Sequence, residues 1–105
     1  MGGVIIVLGS AKAKPGQIDA ALELSLNHVS RSRTEPGCIS HDVSIDAENP
    51  SHLMFTERWA DMPALLMHFG LEASKEFLGE LTPLLSEAPE LKIYDVEEVT
   101  GQFQS

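Results

Sequence analysis

The spacing of apolar positions switches repeatedly between a period of two and a period near 3.6, and the switches predict the elements. Val4, Ile5, Ile6, Val7 and Leu8 form a β-branched apolar run. Such a run reads as a strand covered on both faces, here continuing toward Ala11. Pro15-Gly16 then opens a helix, where Ile18, Ala21, Leu22, Ser25, Leu26 and Val29 recur at i, i+3 and i+4 as one stripe. His28, Arg31 and Arg33 fall beside or opposite it. The helix should stop before Glu35-Pro36-Gly37, because a residue ahead of proline is pushed out of the α region and glycine permits the turn.

Residues 38–45 alternate, with Ile39, His41, Val43 and Ile45 on one face and Cys38, Ser40, Asp42 and Ser44 on the other. A turn rich in Asp, Asn, Pro and Ser over 46–51 predicts an antiparallel hairpin to a strand over 52–59. In that strand Leu53, Phe55, Glu57 and Trp59 share a face, opposite His52, Met54, Thr56 and Arg58. Asp61 suits an N-cap and Pro63 a first helical turn, so Ala64, Leu65, Met67, His68 and Phe69 continue as a helix that brings His68 back toward the strand end. Gly70 marks a break. Leu71, Ser74, Phe77, Leu78, Leu81, Leu84 and Leu85 then predict a second amphipathic helix, kinked or restarted at Thr82-Pro83 and ended by Ala88-Pro89. A last, edge-like strand covers 91–99, and 101–105 reads as a loose tail.

The order is β-α-β-β-α-β, an α+β, ferredoxin-like arrangement with a four-stranded antiparallel sheet and helices on one face. The 105 residues make a single domain, 1–105, with one core. Helices can cover only one face of the sheet, so apolar residues on the other predict a sheet-to-sheet homodimer.

Composition narrows the partners. Seven basic against 16 acidic side chains, a formal charge of −9, argue against nucleic acid and anionic membrane and favour a small neutral or apolar ligand. A single cysteine, Cys38, excludes an intrachain disulfide and a multi-cysteine metal site, and reads as a small hydrophobe. The apolar run near the N-terminus lacks a basic stretch before it and is shorter than the roughly 7–15 residues of a signal h-region. No stretch approaches a membrane span, so a soluble, cytoplasmic protein is expected. Histidines 28, 41, 52 and 68 show no H-x-H or H-x-x-x-H spacing, so no metal is expected.

Glu35-Pro36-Gly37-Cys38, Asp42-Val43, Glu57-x-Trp59-x-Asp61 with His68, and Leu84-Leu85 ahead of Leu91-x-Ile93-Tyr94 together give the chain a family character. In their order and spacing it resembles the antibiotic biosynthesis monooxygenase family, over nearly its whole length. The resemblance implies a dimeric α/β-barrel assembly with a pocket in each subunit between helices and sheet. It also implies oxygenation of phenols or hydroquinones to quinones with O2, with no flavin, haem or metal cofactor. Two departures stand out. Many relatives carry a Pro-His pair shortly after the motif histidine, where this chain reads Phe69-Gly70-Leu71-Glu72-Ala73-Ser74, and many carry Tyr at the position of His41.

Oxygenation without a cofactor requires a substrate made electron-rich by loss of a phenolic proton. Histidine best suits such a base near neutral pH. His68 is the first candidate and His41 the second, each set against a structural histidine bonded within the core. Trp59 offers a ring to stack on and an indole N–H for an oxyanion, beside its plainer reading as core. Phe55, Leu53 and Val43 would exclude water, and Glu57 would face the substrate or pair with Arg33, Arg58 or a backbone donor. The same scaffold would also serve an isomerase, a metabolite-binding dimer or a haem-degrading oxygenase, the last disfavoured by a first strand without Asn.

Overall fold

A computed structural model describes residues 3–99. Its elements are β1 (Val4–Lys12), α1 (Ile18–Ser32), β2 (Cys38–Asp46), β3 (Asn49–Trp59), α2 (Met62–Gly70), α3 (Glu72–Leu81), a 3₁₀ turn (Thr82–Leu84) and β4 (Glu90–Val96). All neighbouring strands are antiparallel, in the order β2-β3-β1-β4. The chain thus has the ferredoxin-like arrangement expected from its periodicity, with the second helical region divided in two. Asp61 caps α2 as expected, its Oδ1 accepting from Ala64 N at 2.9 Å, with Pro63 in the first turn. The expected tail at 101–105 lies outside the described residues. No helix among the described residues is long and apolar enough to cross a membrane.

Four local expectations change. Ala47 and Glu48 alone form the hairpin turn, and β3 begins at Asn49 rather than His52. The Asp46 carboxylate accepts from Glu48 N at 2.9 Å, tightening the loop. At the other end of this pair the register skips between Cys38 and Ser40, leaving Ile39 unpaired in a bulge. The extra residue inverts the local alternation. Cys38 therefore packs with Ile5, Val7, Trp59 and Leu65, while Ile39, expected beside His41, is exposed. The buried face of α1 is Ala21, Ser25, His28, Val29 and Ser32, and Leu26 is exposed. Finally, β4 ends at Val96 and not Val99.

Between helices and sheet the core has two parts. One is built on Ala11, Ala13, Ala21, Leu53, Leu81 and Leu85, and the other on Ile5, Val7, Trp59 and Leu65. The second part is closed by the turn before β2. Gly37 there has φ +83°, and a Cβ on it would stand 2.5 Å from the Ala64 Cβ of α2. Only glycine meets both the left-handed backbone and the close approach. Gly37 O also accepts from Ala60 N at 2.8 Å, so the turn carrying Glu35 is fastened to the start of the segment carrying His68.

Candidate functional site

A cavity of about 320 Å³ opens between the sheet and α3. Gly9 of β1, Phe55 and Glu57 of β3 and His41 of β2 supply its sheet side; Ser74, Phe77, Leu78 and Leu81 of α3 supply the opposite wall. Its lining is mostly apolar, with His28, His41, His68 and Glu57 grouped among it. Gly9 matters here because a Cβ would meet Leu91 and Phe55 at 3.3 and 3.4 Å, crowding the sheet side.

Three histidines from three elements meet at this cavity. One ring nitrogen from each of His28 (α1), His41 (β2) and His68 (α2) lies within 4.8 Å of the other two, and all three residues are buried. The sequence pattern hid this cluster, since none of the three is a near neighbour of another along the chain. The apolar stripe of α1 leaves His28 beside or opposite it, yet His28 lies two turns beyond Ala21 on the same face and is 5 % exposed. Its ring stacks on Phe77 with a centroid distance of 3.9 Å.

Each ring is held through Nδ1 by a different kind of group. His68 Nδ1 lies 2.7 Å from Glu35 Oε1, His41 Nδ1 lies 2.7 Å from Ser32 Oγ, and Arg31 Nη2 donates to His28 Nδ1 at 2.6 Å. His41 Nε2 additionally faces Glu57 Oε2 at 3.5 Å. Burial, reinforced by the neighbouring imidazoles, lowers the His28 pKa to about 3. Burial and then His68 lower that of His41 to about 4, so both rings are neutral at pH 7. Burial also raises the Glu57 pKa, against the opposing effect of its hydrogen bond from Trp59.

The remaining sequence candidates divide. Phe55 and Glu57 line the cavity as expected. Trp59 does not: it is fully buried, its ring lies 4.8 Å from that of His68, and its Nε1 donates to Glu57 Oε1 at 2.9 Å. The indole N–H is therefore engaged by a carboxylate on its own strand, leaving Trp59 as support behind the site. Leu53 and Val43 pack in the apolar core rather than along the cavity. Glu57 takes Trp59 and His41 as partners instead of an arginine, because Arg33 donates to His41 O and Asp42 Oδ1 while Arg58 donates to Ser40 Oγ. Sequence reasoning missed His28, Glu35 and Ser74. Ser74 Oγ is buried without a hydrogen-bond partner among the described residues and lies on the cavity wall.

Residues 4–80 match the family described as antibiotic biosynthesis monooxygenase. An uncharacterized protein of Synechocystis sp. is 35% identical over 94 residues, a match covering 90% of this chain; the chain spans only 64% of that relative's length. A conserved protein of Methanosarcina mazei is 27% identical, with a TM-score of 0.84, over 90% of this chain and 93% of that one. A crystal structure described as an antibiotic biosynthesis monooxygenase is 26% identical, with a TM-score of 0.82, over 90% and 99% respectively. A Deinococcus radiodurans protein at 23% identity and TM-score 0.88, over 95% and 99%, shares the fold.

Proposed function

The chain belongs to the antibiotic biosynthesis monooxygenase family, and from that premise we propose that it oxygenates a small phenolic or hydroquinone-type aromatic to a quinone, with His68 as the base. The observation behind this reading is the His68–Glu35 pair beside a mostly apolar cavity: the carboxylate accepts from Nδ1–H, which leaves the lone pair of Nε2 for a substrate hydroxyl. His41 is the weaker candidate because its Nε2 faces Glu57.

Loss of the phenolic proton leaves an electron-rich anion able to give electrons to O2 without a metal, haem or flavin. One oxygen atom forms a new bond to a ring carbon, which loses its hydrogen and becomes a carbonyl. The second oxygen leaves as water with that hydrogen and the hydroxyl proton. Substrate supplies all the electrons, so no external reductant enters the balance. Phe55 and Phe77 provide faces for an aromatic ring and keep water away from the anion. Glu57, seated on Trp59, fixes His41 and shapes the polar end.

The working form is a homodimer through the sheet face that the helices leave open, where Leu8, Met54 and Tyr94 are exposed. Incubation with a hydroquinone, naphthol or anthrone panel under ¹⁸O2 tests the reaction. One labelled oxygen in the quinone is expected; substrate converted equally well without O2, to a product that has gained no oxygen, would refute it in favour of an isomerase.

A further inference from the structure

We propose that Arg31 and Glu35 hold His28 and His68 in opposite tautomers, so that the two rings grip a single substrate hydroxyl oxygen, His68 Nε2 taking its proton and His28 Nε2–H stabilising the oxyanion. This rests on the reading of the cavity as a phenol site and adds to it a second catalytic residue, His28, with two positioning residues behind the pair.

The tautomers follow from proton inventory. Arginine is always charged and has only donors, so the His28 Nδ1 that lies 2.6 Å from Arg31 Nη2 presents a lone pair. A neutral ring then carries its proton on Nε2. An ionised carboxylate has only acceptors, so the His68 Nδ1 that lies 2.7 Å from Glu35 Oε1 presents its proton, and Nε2 keeps the lone pair. Oppositely charged neighbours thus convert two identical side chains into a donor and an acceptor. Burial agrees with the neutral form of His28, whose pKa lies at about 3. His41 takes no part in this pair: Ser32 can donate to or accept from its Nδ1, and its Nε2 faces Glu57.

The spacing accommodates a hydroxyl oxygen. Two hydrogen bonds of about 2.8 Å meeting at one oxygen at roughly 115° span about 4.7 Å between nitrogens. One ring nitrogen from each of the three histidines lies within 4.8 Å of the other two, so a hydroxyl oxygen fits between two of the rings. A three-histidine metal cage would require His28 to give up its Nε2 proton while Arg31 occupies Nδ1. The class of ligand is therefore a phenol or enol that ionises in place, with its ring against Phe55 and Phe77.

The test is ¹⁵N NMR of the full chain labelled in its histidine rings, each ring assigned by single substitution. The expected spectrum at pH 7 has His68 protonated at Nδ1 and His28 at Nε2. Arg31→Met should let His28 populate Nδ1–H, Arg31→Lys should restore the original form, and Glu35→Gln should release the His68 preference. His28 protonated at Nδ1 in the unaltered chain, or unmoved by Arg31→Met, would overturn the proposal. So would stoichiometric Zn²⁺ that shifts all three rings together. As an independent reading, 4-nitrophenol should bind as its coloured phenolate, and His28→Leu should weaken that binding at least about tenfold; equal phenolate affinity in the variant would overturn the donor role. Neither readout involves oxygen, so correct tautomers without O2 consumption would refute the monooxygenase reading alone.

Discussion

The two parts of the core lie in one layer between the same sheet and helices, yet they are held by different physics. Around Leu53, Ala11, Ala21, Leu81 and Leu85 the packed side chains are apolar, so stability follows mainly buried area and tolerates apolar side chains of similar size. Around Trp59 and the three histidines, specific pairs decide: Trp59 with Glu57, His68 with Glu35, His41 with Ser32 and His28 with Arg31. Losing one partner there strands a buried polar group. The cavity end carries the electrostatic cost of a buried polar cluster, while the apolar end stabilises the fold that bears it.

Acid should separate the two parts most strongly. Unfolded imidazoles titrate near 6.5, whereas His28 and His41 in the fold do so at about 3 and about 4. Between those values the unfolded chain binds more protons, so stability is complete above about pH 6.5 and falls as the pH drops toward 4. Glu57, whose pKa is raised, works in the opposite direction and offsets part of this loss. The combined effect is on the order of several kcal/mol, read as the pH dependence of the urea midpoint. His28→Leu should flatten that slope. An unchanged slope would show that the cluster does not resist protonation.

Leu53→Ala, in the apolar part, should cost about 2–5 kcal/mol in urea unfolding without altering the pH slope. A changed slope would mean that the two parts are not separable. Gly37→Ala comes next, at about 1–3 kcal/mol, since it strains a positive φ and drives a Cβ into Ala64. It should also lower activity by shifting Glu35 from His68, and full activity would break the link between turn and site. Leu26→Gln sets the lower bound: an exposed position on α1 should change stability by less than about 0.5 kcal/mol, and a larger loss would return Leu26 to the buried stripe.

Much of the apolar part was legible in the sequence, because burial of Leu53 and Leu81 leaves a plain periodic trace. The cap at Asp61 was legible for the same local reason. The polar part was legible only in fragments. A stripe rule that seeks apolar residues selects Leu26 and passes over His28 and Ser32, although these share the face of Ala21 and Ser25. Strict alternation cannot register the bulge at Ile39, so it assigned Cys38 to the wrong side. The pairing of Glu35 with His68 joins positions 33 residues apart, a contact that only the packing of the Gly37 turn against α2 creates. The sequence sets Trp59 on the face of Glu57, and the hydrogen bond from its indole N–H to that carboxylate, two residues away on one strand, is the local form of that placement.

Oxygen uptake by metal-stripped protein, measured against hydroquinones, naphthols and anthrones for the unaltered chain and for His68→Ala, tests the central claim most directly. Metal-free oxygenation with His68 as the base predicts uptake with at least one of these substrates, reduced about 10²–10⁴-fold when that base is removed. Uptake that persists in His68→Ala, or that returns only when metal is restored, would contradict it.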